Sequence, residues 1–297
     1  MYENVSGSNT NSMNASKRNK LVDKFFQYIG VMSTCLAAVI LIILLGSILL
    51  KGLTRLDGQF LTSLPSRFAA KAGILSAWTG TLWIFGLTAI FAIPVGIAAA
   101  VYLEEYGKKS KFAGFVEINI SNLAGVPSII YGLLGLGIFV HTLKFGPVIL
   151  AGALTLALLI LPIIIVSTRE ALKAVPKTIR EAAYGLGATK WQVIWTQVLP
   201  ASAGGILTGV ILALARAIGE TAPLIVVGAL AYVPFVPKSP FDNFSVLPMQ
   251  IFNWVSRPQK DFAVNAAAAI IVLLAITFLL NGVAVYWRNK WQRKVKW

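Results

Sequence analysis

Residues 181–200 read EAAYGLGATKWQVIWTQVLP and lie between two long apolar halves of a 297-residue chain. Just before them, Pro176 suits a first helical position, so Lys177 to Leu186 reads as a short helix. Gly187 follows and can take the left-handed backbone that stops a helix. Thr189 and Gln192 stand at the spacing of a capping box, in which each side chain satisfies the other residue's amide. Trp191, Ile194, Trp195 and Val198 then fall on one face at helical spacing, and Pro200 is expected to end the second helix. The product is helix, glycine turn, helix, with Glu181 and the small Ala182 and Ala183 presented on the first. Small side chains let another surface approach closely.

By itself this pattern describes an amphipathic hairpin outside the membrane. It also resembles the EAA loop of ABC-importer permeases: Glu-Ala-Ala, then glycine, then Leu-Pro. Glu181, Ala182, Ala183, Gly187, Leu199 and Pro200 match that pattern, while Gln197 stands where the family has isoleucine. The resemblance implies that the loop docks into an ATPase and carries its motion into the membrane.

Composition supports a membrane location. Hydrophobic residues make up 57% of the chain and charged residues 12%, against about 25% charged in soluble domains. A soluble fold of this size cannot hide so much apolar surface. The net charge of +15 would suggest nucleic acid in a soluble protein, but here basic loops beside apolar spans account for it. Neither a zinc spacing nor a stacking-aromatic motif supports nucleic acid. Cys35 is the single cysteine, so no disulfide framework is possible; it is expected to be a small buried hydrophobe.

Taken in order, residues 1–16 are rich in Ser and Asn and read as a disordered tail within a cytoplasmic segment, 1–28. A permease domain of six helical spans then fills 29–287, and 288–297 is a cytoplasmic tail. The spans are Ile29–Leu50, Ser76–Leu103, Ile118–Val140, Pro147–Thr168, Ala201–Ala231 and Phe262–Trp287, each as long as the ~20 residues a bilayer core requires. With the termini inside, 17 Lys and Arg fall on the inner side and 8 on the outer, Arg216 lying within a span. That bias puts the 168–200 loop and both termini in the cytoplasm. Four basic residues in the outer 51–75 loop count against it. Trp287 and Trp291 suit an interfacial belt, and a short helix is expected near Met249 to Trp254 in the proline-rich outer loop.

No catalytic set emerges. His141 is the single histidine and reads as a solvated loop residue, no metal cluster can be assembled, and no Walker A sequence is present. Glu104 and Glu105, followed by Lys108 and Lys109, read as a solvated turn. The informative charges lie in the fifth span, at Arg216 and Glu220, four residues apart on one helix face. A charge at that depth costs ~2.5–3.5 kcal/mol on insertion scales and is rarely left in lipid. The pair either neutralises itself to stabilise the bundle or lines a polar pathway, where an arginine fork suits an oxyanion. Gly219 and Pro223 bracket it and permit a local break in the helix. Gly125, Gly132, Gly135 and Gly137 offer a smooth packing side in the third span, and Pro127 loosens that helix beside the Ser128 hydroxyl.

The segment from Arg216 to Pro223, ARAIGETAP with its preceding alanine, is similar to the signature of phosphate-importer permeases of the PstA type. So are GVPSIIYGLLG at 125–135 and LPMQIFNW at 247–254. The resemblance implies an all-α integral membrane protein of the type I ABC-importer permease fold in the bacterial inner membrane. By the same resemblance it would have no cofactor and no ATPase activity of its own, and would form half of a pathway for inorganic phosphate. Its implied partners are a PstC-like second permease, a PstB-like ATP-binding dimer, an external PstS-like phosphate-binding protein and membrane lipid. Substrate-path residues would be Arg216, Glu220, Thr221 and Ser128; coupling residues would be Glu181, Ala182, Ala183 and Gly187. A molybdate or sulfate permease, or a structural membrane subunit without a pathway, are the alternatives.

The charge count makes a prediction about sidedness. In a Cys35→Ala background, a cysteine replacing Asn243 should react with an impermeant thiol reagent added outside, and one replacing Thr178 should not. The opposite labelling pattern would reverse the topology.

Overall fold

The computed structural model describes residues 6–107, 111–230 and 232–292, with side chains from residue 23 to 290 within them. The chain divides into two units at residue 51. The first is essentially one helix, α1 (Ser6–Gly52). It begins inside the stretch expected to be a disordered tail: no proline interrupts residues 6–28, and extending a helix already nucleated by an apolar span costs little per residue. Cys35, expected to be buried, is exposed on it.

The second unit holds α2 (Leu75–Tyr106), a bent pair α3 (Lys111–Leu123) and α4 (Ser128–Thr142), α5 (Ile149–Lys173), α6 (Lys177–Gly185), α7 (Lys190–Gly219), α8 (Ala222–Val227), α9 (Leu247–Val255) and α10 (Asp261–Gln292). Across the described residues five helices are long and apolar enough to cross a membrane, or six spans if the bent pair counts as one. The only β pairing among them is a bridge between Val148 and Asn243.

The third expected span is not continuous. α3 and α4 meet at 111°, because Pro127 has no N–H to donate and pushes Val126 out of the helical region. The anticipated glycine seam divides accordingly. A side chain at Gly132 would strike the Pro223 backbone at 2.8 Å and one at Gly135 would strike Thr155 at 2.0 Å, while Gly137 faces open space. Pro200 does the reverse of what was expected. The helix passes through it by widening to a π turn over Ile194–Val198, which relieves the clash that proline makes with the preceding turn.

α5 is the central helix, with 67% of its apolar window buried. It packs along α2 and α7 through Ile84, Leu156, Ile160, Ile164, Ile206 and Val210. Residues 232–260 lie over one end of this core. Trp254 is fully buried between Phe60 and Phe262, at ring distances of 6.0 and 6.2 Å. Leu247 N–H donates to Thr81 Oγ1 at 2.9 Å. Ile149 and Leu150, opening α5, donate to the carbonyls of Asp242 and Pro240 at 3.1 and 2.9 Å. The Asp242 carboxylate accepts from the backbone of Lys238 and Ser239, which holds its pKa below the usual carboxylate range. The expected helix near Met249–Trp254 is α9.

One of the four basic residues that weighed against the topology has a local task. Arg55 donates to Asp57 at 2.9 Å and to the Ala70 carbonyl at 2.8 Å, with its guanidinium 5.4 Å from the Phe60 ring centroid. It staples its own loop.

Trp254→Ala should leave a cavity among Phe60 and Phe262 and cost about 3–5 kcal/mol. A clear drop in thermal unfolding temperature in detergent is the expected reading, and an unchanged temperature would deny this cluster its structural role.

Candidate functional site

The 168–200 loop is built as its residues suggest. α6 starts after Pro176, which sits at the cap with φ −56° and ψ 141° rather than as the first helical residue. Gly187 takes φ +80° with no heavy atom within 4 Å of where a Cβ would be. Only its backbone conformation therefore demands glycine. The capping box of Thr189 and Gln192 is formed in both directions. Ile179 and Ala183 pack on Leu172, Val175, Val193 and Ile194. That leaves Glu181, Ala182 and Leu186 outward, Leu186 at 90% exposure. The four residues expected to couple, Glu181, Ala182, Ala183 and Gly187, thus lie together at the end of α6 and the turn after it, with Ala183 half inside.

The four-residue face predicted for the second helix splits. Ile194 and Val198 are buried, whereas Trp191 and Trp195 are about 60% exposed and stack on each other at 5.7 Å. The π turn rotates the two pairs apart. Gln197, which departs from the family pattern, is exposed, so no core contact is lost there.

Glu104 and Glu105 are not a solvated turn. A π turn over Tyr102–Tyr106 ends α2 and sends the two carboxylates into separate buried ion pairs. Glu104 lies 3.7 Å from Arg169 on α5, which also pairs with Glu117 on α3 at 2.8 Å. Glu105 accepts from Arg180 on α6 at 2.9 Å. Lys108 and Lys109 lie outside the described residues. The sequence held one signal for this that went unread: Arg169 and Arg180 are cations beside a span that need partners.

In the fifth span, α7 stops at Gly219 and Glu220 turns extended, with φ −75° and ψ 125°. Thr221 and the short α8 follow, and Ala231 lies outside the described residues. The break foreseen at Gly219 is therefore present. Arg216 Nε donates to Glu220 Oε1 at 3.3 Å across the helix end rather than along a continuous face. The Arg216 side chain is 48% exposed and that of Glu220 18%. Gly205, Leu212, Arg216 and Gly219 are exposed along one side of α7, and Ile129, Ile130 and Leu133 along α4. Ser128 opens α4, which packs on α8 where Gly132 meets Pro223. Among the described residues no hydrogen bond joins Ser128 to Arg216, Glu220 or Thr221. His141 is exposed at the end of α4, and Trp287 is 58% exposed on α10. The Trp291 side chain is outside the described residues.

Residues 92–293 match the family described as "Binding-protein-dependent transport system inner membrane component". The chain belongs to this family. It is a permease of an ABC transporter, a complex with other subunits. Similar curated proteins include the "Probable ABC transporter permease protein YqgI" of Bacillus subtilis, 30% identical over 88% of this chain and 94% of that one. The "Phosphate transport system permease protein PstA" of Haemophilus influenzae is 35% identical over 78% of this chain and 82% of that protein. Among solved structures, the permease is similar in fold to a bacterial ABC transporter that imports alginate, with TM-score 0.64 at 15% identity over 91% of this chain and 99% of that one. The inward-facing methionine transporter MetNI gives 0.60 at 17% identity over 71% and 94%.

Gly187→Val would force a β-branched residue into a left-handed backbone at a cost of about 1–2 kcal/mol. The permease should reach the membrane at near-normal level while transport in vesicles falls severalfold. Normal transport would remove the turn from any coupling role.

Proposed function

We propose that this permease is one half of the translocation pathway of an ATP-driven, binding-protein-dependent importer of inorganic phosphate. Its outer face would receive an external phosphate-binding protein and its 168–200 loop a dimer of ATP-hydrolysing subunits. Both termini and that loop then lie in the cytoplasm, as the distribution of basic residues requires. A second, PstC-like permease would cover the exposed side of α7 and α4 and supply the other half of the path.

The observation that carries this reading is a guanidinium left half exposed at a helix break inside a span. A cation there is costly in lipid. Among the described residues Arg216 pairs only with Glu220, and a fork of donors is a good match for an oxyanion. Glu220 neutralises the site between passages, which keeps anion binding weak enough to release. Thr221 adds a hydroxyl at the break, and Ser128 contributes from the neighbouring helix. Similarity to phosphate permeases selects phosphate among oxyanions.

The test separates a pathway from a structural pair. Arg216→Met with Glu220→Gln removes both charges together and leaves no unpaired ion. It should assemble at normal abundance and lose phosphate uptake. Arg216→Lys should also lose most uptake, since an ammonium lacks the planar fork. Normal uptake in the double variant would make the pair structural, and competition by molybdate or sulfate stronger than by phosphate would change the substrate.

A further inference from the structure

The cytoplasmic end of α2 is gripped from both halves of the 168–200 loop at a single residue. Arg180, on α6, donates to Glu105 Oε1 through Nη2 at 2.9 Å and Nε at 3.3 Å. The same guanidinium donates to the carbonyls of Leu172 at 2.9 Å, in the last turn of α5, and Val175 at 2.7 Å, just beyond it. Lys190, opening α7, donates to the backbone carbonyl of Glu105 and lies 4.3 Å from the Tyr106 ring centroid. Both side chains of the ion pair are largely shielded, at 15% and 8% exposure. Every donor belongs to the loop and every anionic or carbonyl acceptor at the far end belongs to one turn of α2.

We propose that Glu105 is a positioning residue: the joint through which motion of the loop is passed to α2 as well as to its own flanking helices α5 and α7. The proposal rests on the importer reading above and extends it. α2 is remote from the loop in sequence, and its chain connection to it runs through α3, α4 and α5. A displacement of α6 reaches α2 directly through this grip and through the apolar cluster where Ile97 and Val101 of α2 meet Ile179 and Ala183 of α6, and of the two only the grip is directional. The pair is charge-assisted and two-pronged, so it resists shear as well as separation. Glu104, one residue earlier, holds the same turn to Arg169 on α5. Thus α2, α5 and α6 meet at one π turn and move as a unit while both pairs are closed.

The experiment uses the assembled complex with a Cys35→Ala permease. Spin labels sit at cysteines replacing Leu82, toward the other end of α2, and Lys177, on α6. In the otherwise unaltered permease both labels should respond to nucleotide. With Glu105→Ala, the Lys177 label should still respond, the Leu82 label should not, and phosphate carried per ATP should fall about tenfold. In a Glu105→Cys, Arg180→Cys permease, a short bis-methanethiosulfonate cross-linker, which joins the two thiols with loss of methanesulfinate, should restore that ratio within one preparation, which a mere stabilising role would not do. A Leu82 response that survives Glu105→Ala, or a ratio that the cross-linker leaves unchanged, overturns the joint. If the unaltered complex carries no phosphate, the importer reading fails by itself, and the two labels still decide the joint.

Discussion

A carboxylate at the end of a membrane helix must either reach water or find a cation, and Glu104 and Glu105 find two. Both lie on the π turn that closes α2, and as adjacent residues they point to different neighbours. Glu104 draws in Arg169 and, through it, α3. Glu105 draws in Arg180 and with it the carbonyl ends of α5. Removing one member of such a buried pair typically costs ~3–5 kcal/mol, because the other charge stays behind unpaired. At this face the ion pairs stand beside an apolar cluster in which Val101 of α2, Leu172 of α5 and Ile179 of α6 meet.

The same rule, applied to the backbone, explains the broken elements. Where a helix is interrupted within a membrane protein, the freed N–H and C=O groups need protein or water around them. At the α3–α4 bend, the Leu123 carbonyl is taken by the Tyr131 hydroxyl at 2.8 Å. At the α7–α8 break, Glu220 and Thr221 stand beside a half-exposed guanidinium. The first break is closed within the chain, while the second retains an open polar side. That difference is what distinguishes a structural bend from a candidate path.

Much of this was legible in the residues. Spans are read from the length of apolar runs, and turn chemistry is local, so Gly187, the Thr189–Gln192 box and the stop at Gly219 could be placed before any coordinates. Three kinds of feature were not legible. Proline has opposite outcomes at 127 and 200, and the choice depends on whether a π turn can absorb the ring. The exposure of Trp191 and Trp195 depends on that same turn. The partners of Glu104 and Glu105 are 65 to 75 positions away in sequence, and a tertiary pairing at that distance leaves no periodic trace. Arg216 and Glu220 were identifiable as misplaced charges, but the outward aim of Arg216 is a property of the packed helices.

The hydrogen bonds that start α5 also bear on how the protein is made. Ile149 and Leu150 are capped by carbonyls of Pro240 and Asp242, which leave the ribosome roughly ninety residues later. At the pace of synthesis, about 5–20 residues per second, the fourth span waits several seconds for its own cap. A chain truncated before Pro240 would thus have its central helix but neither of the carbonyls that latch its first turn.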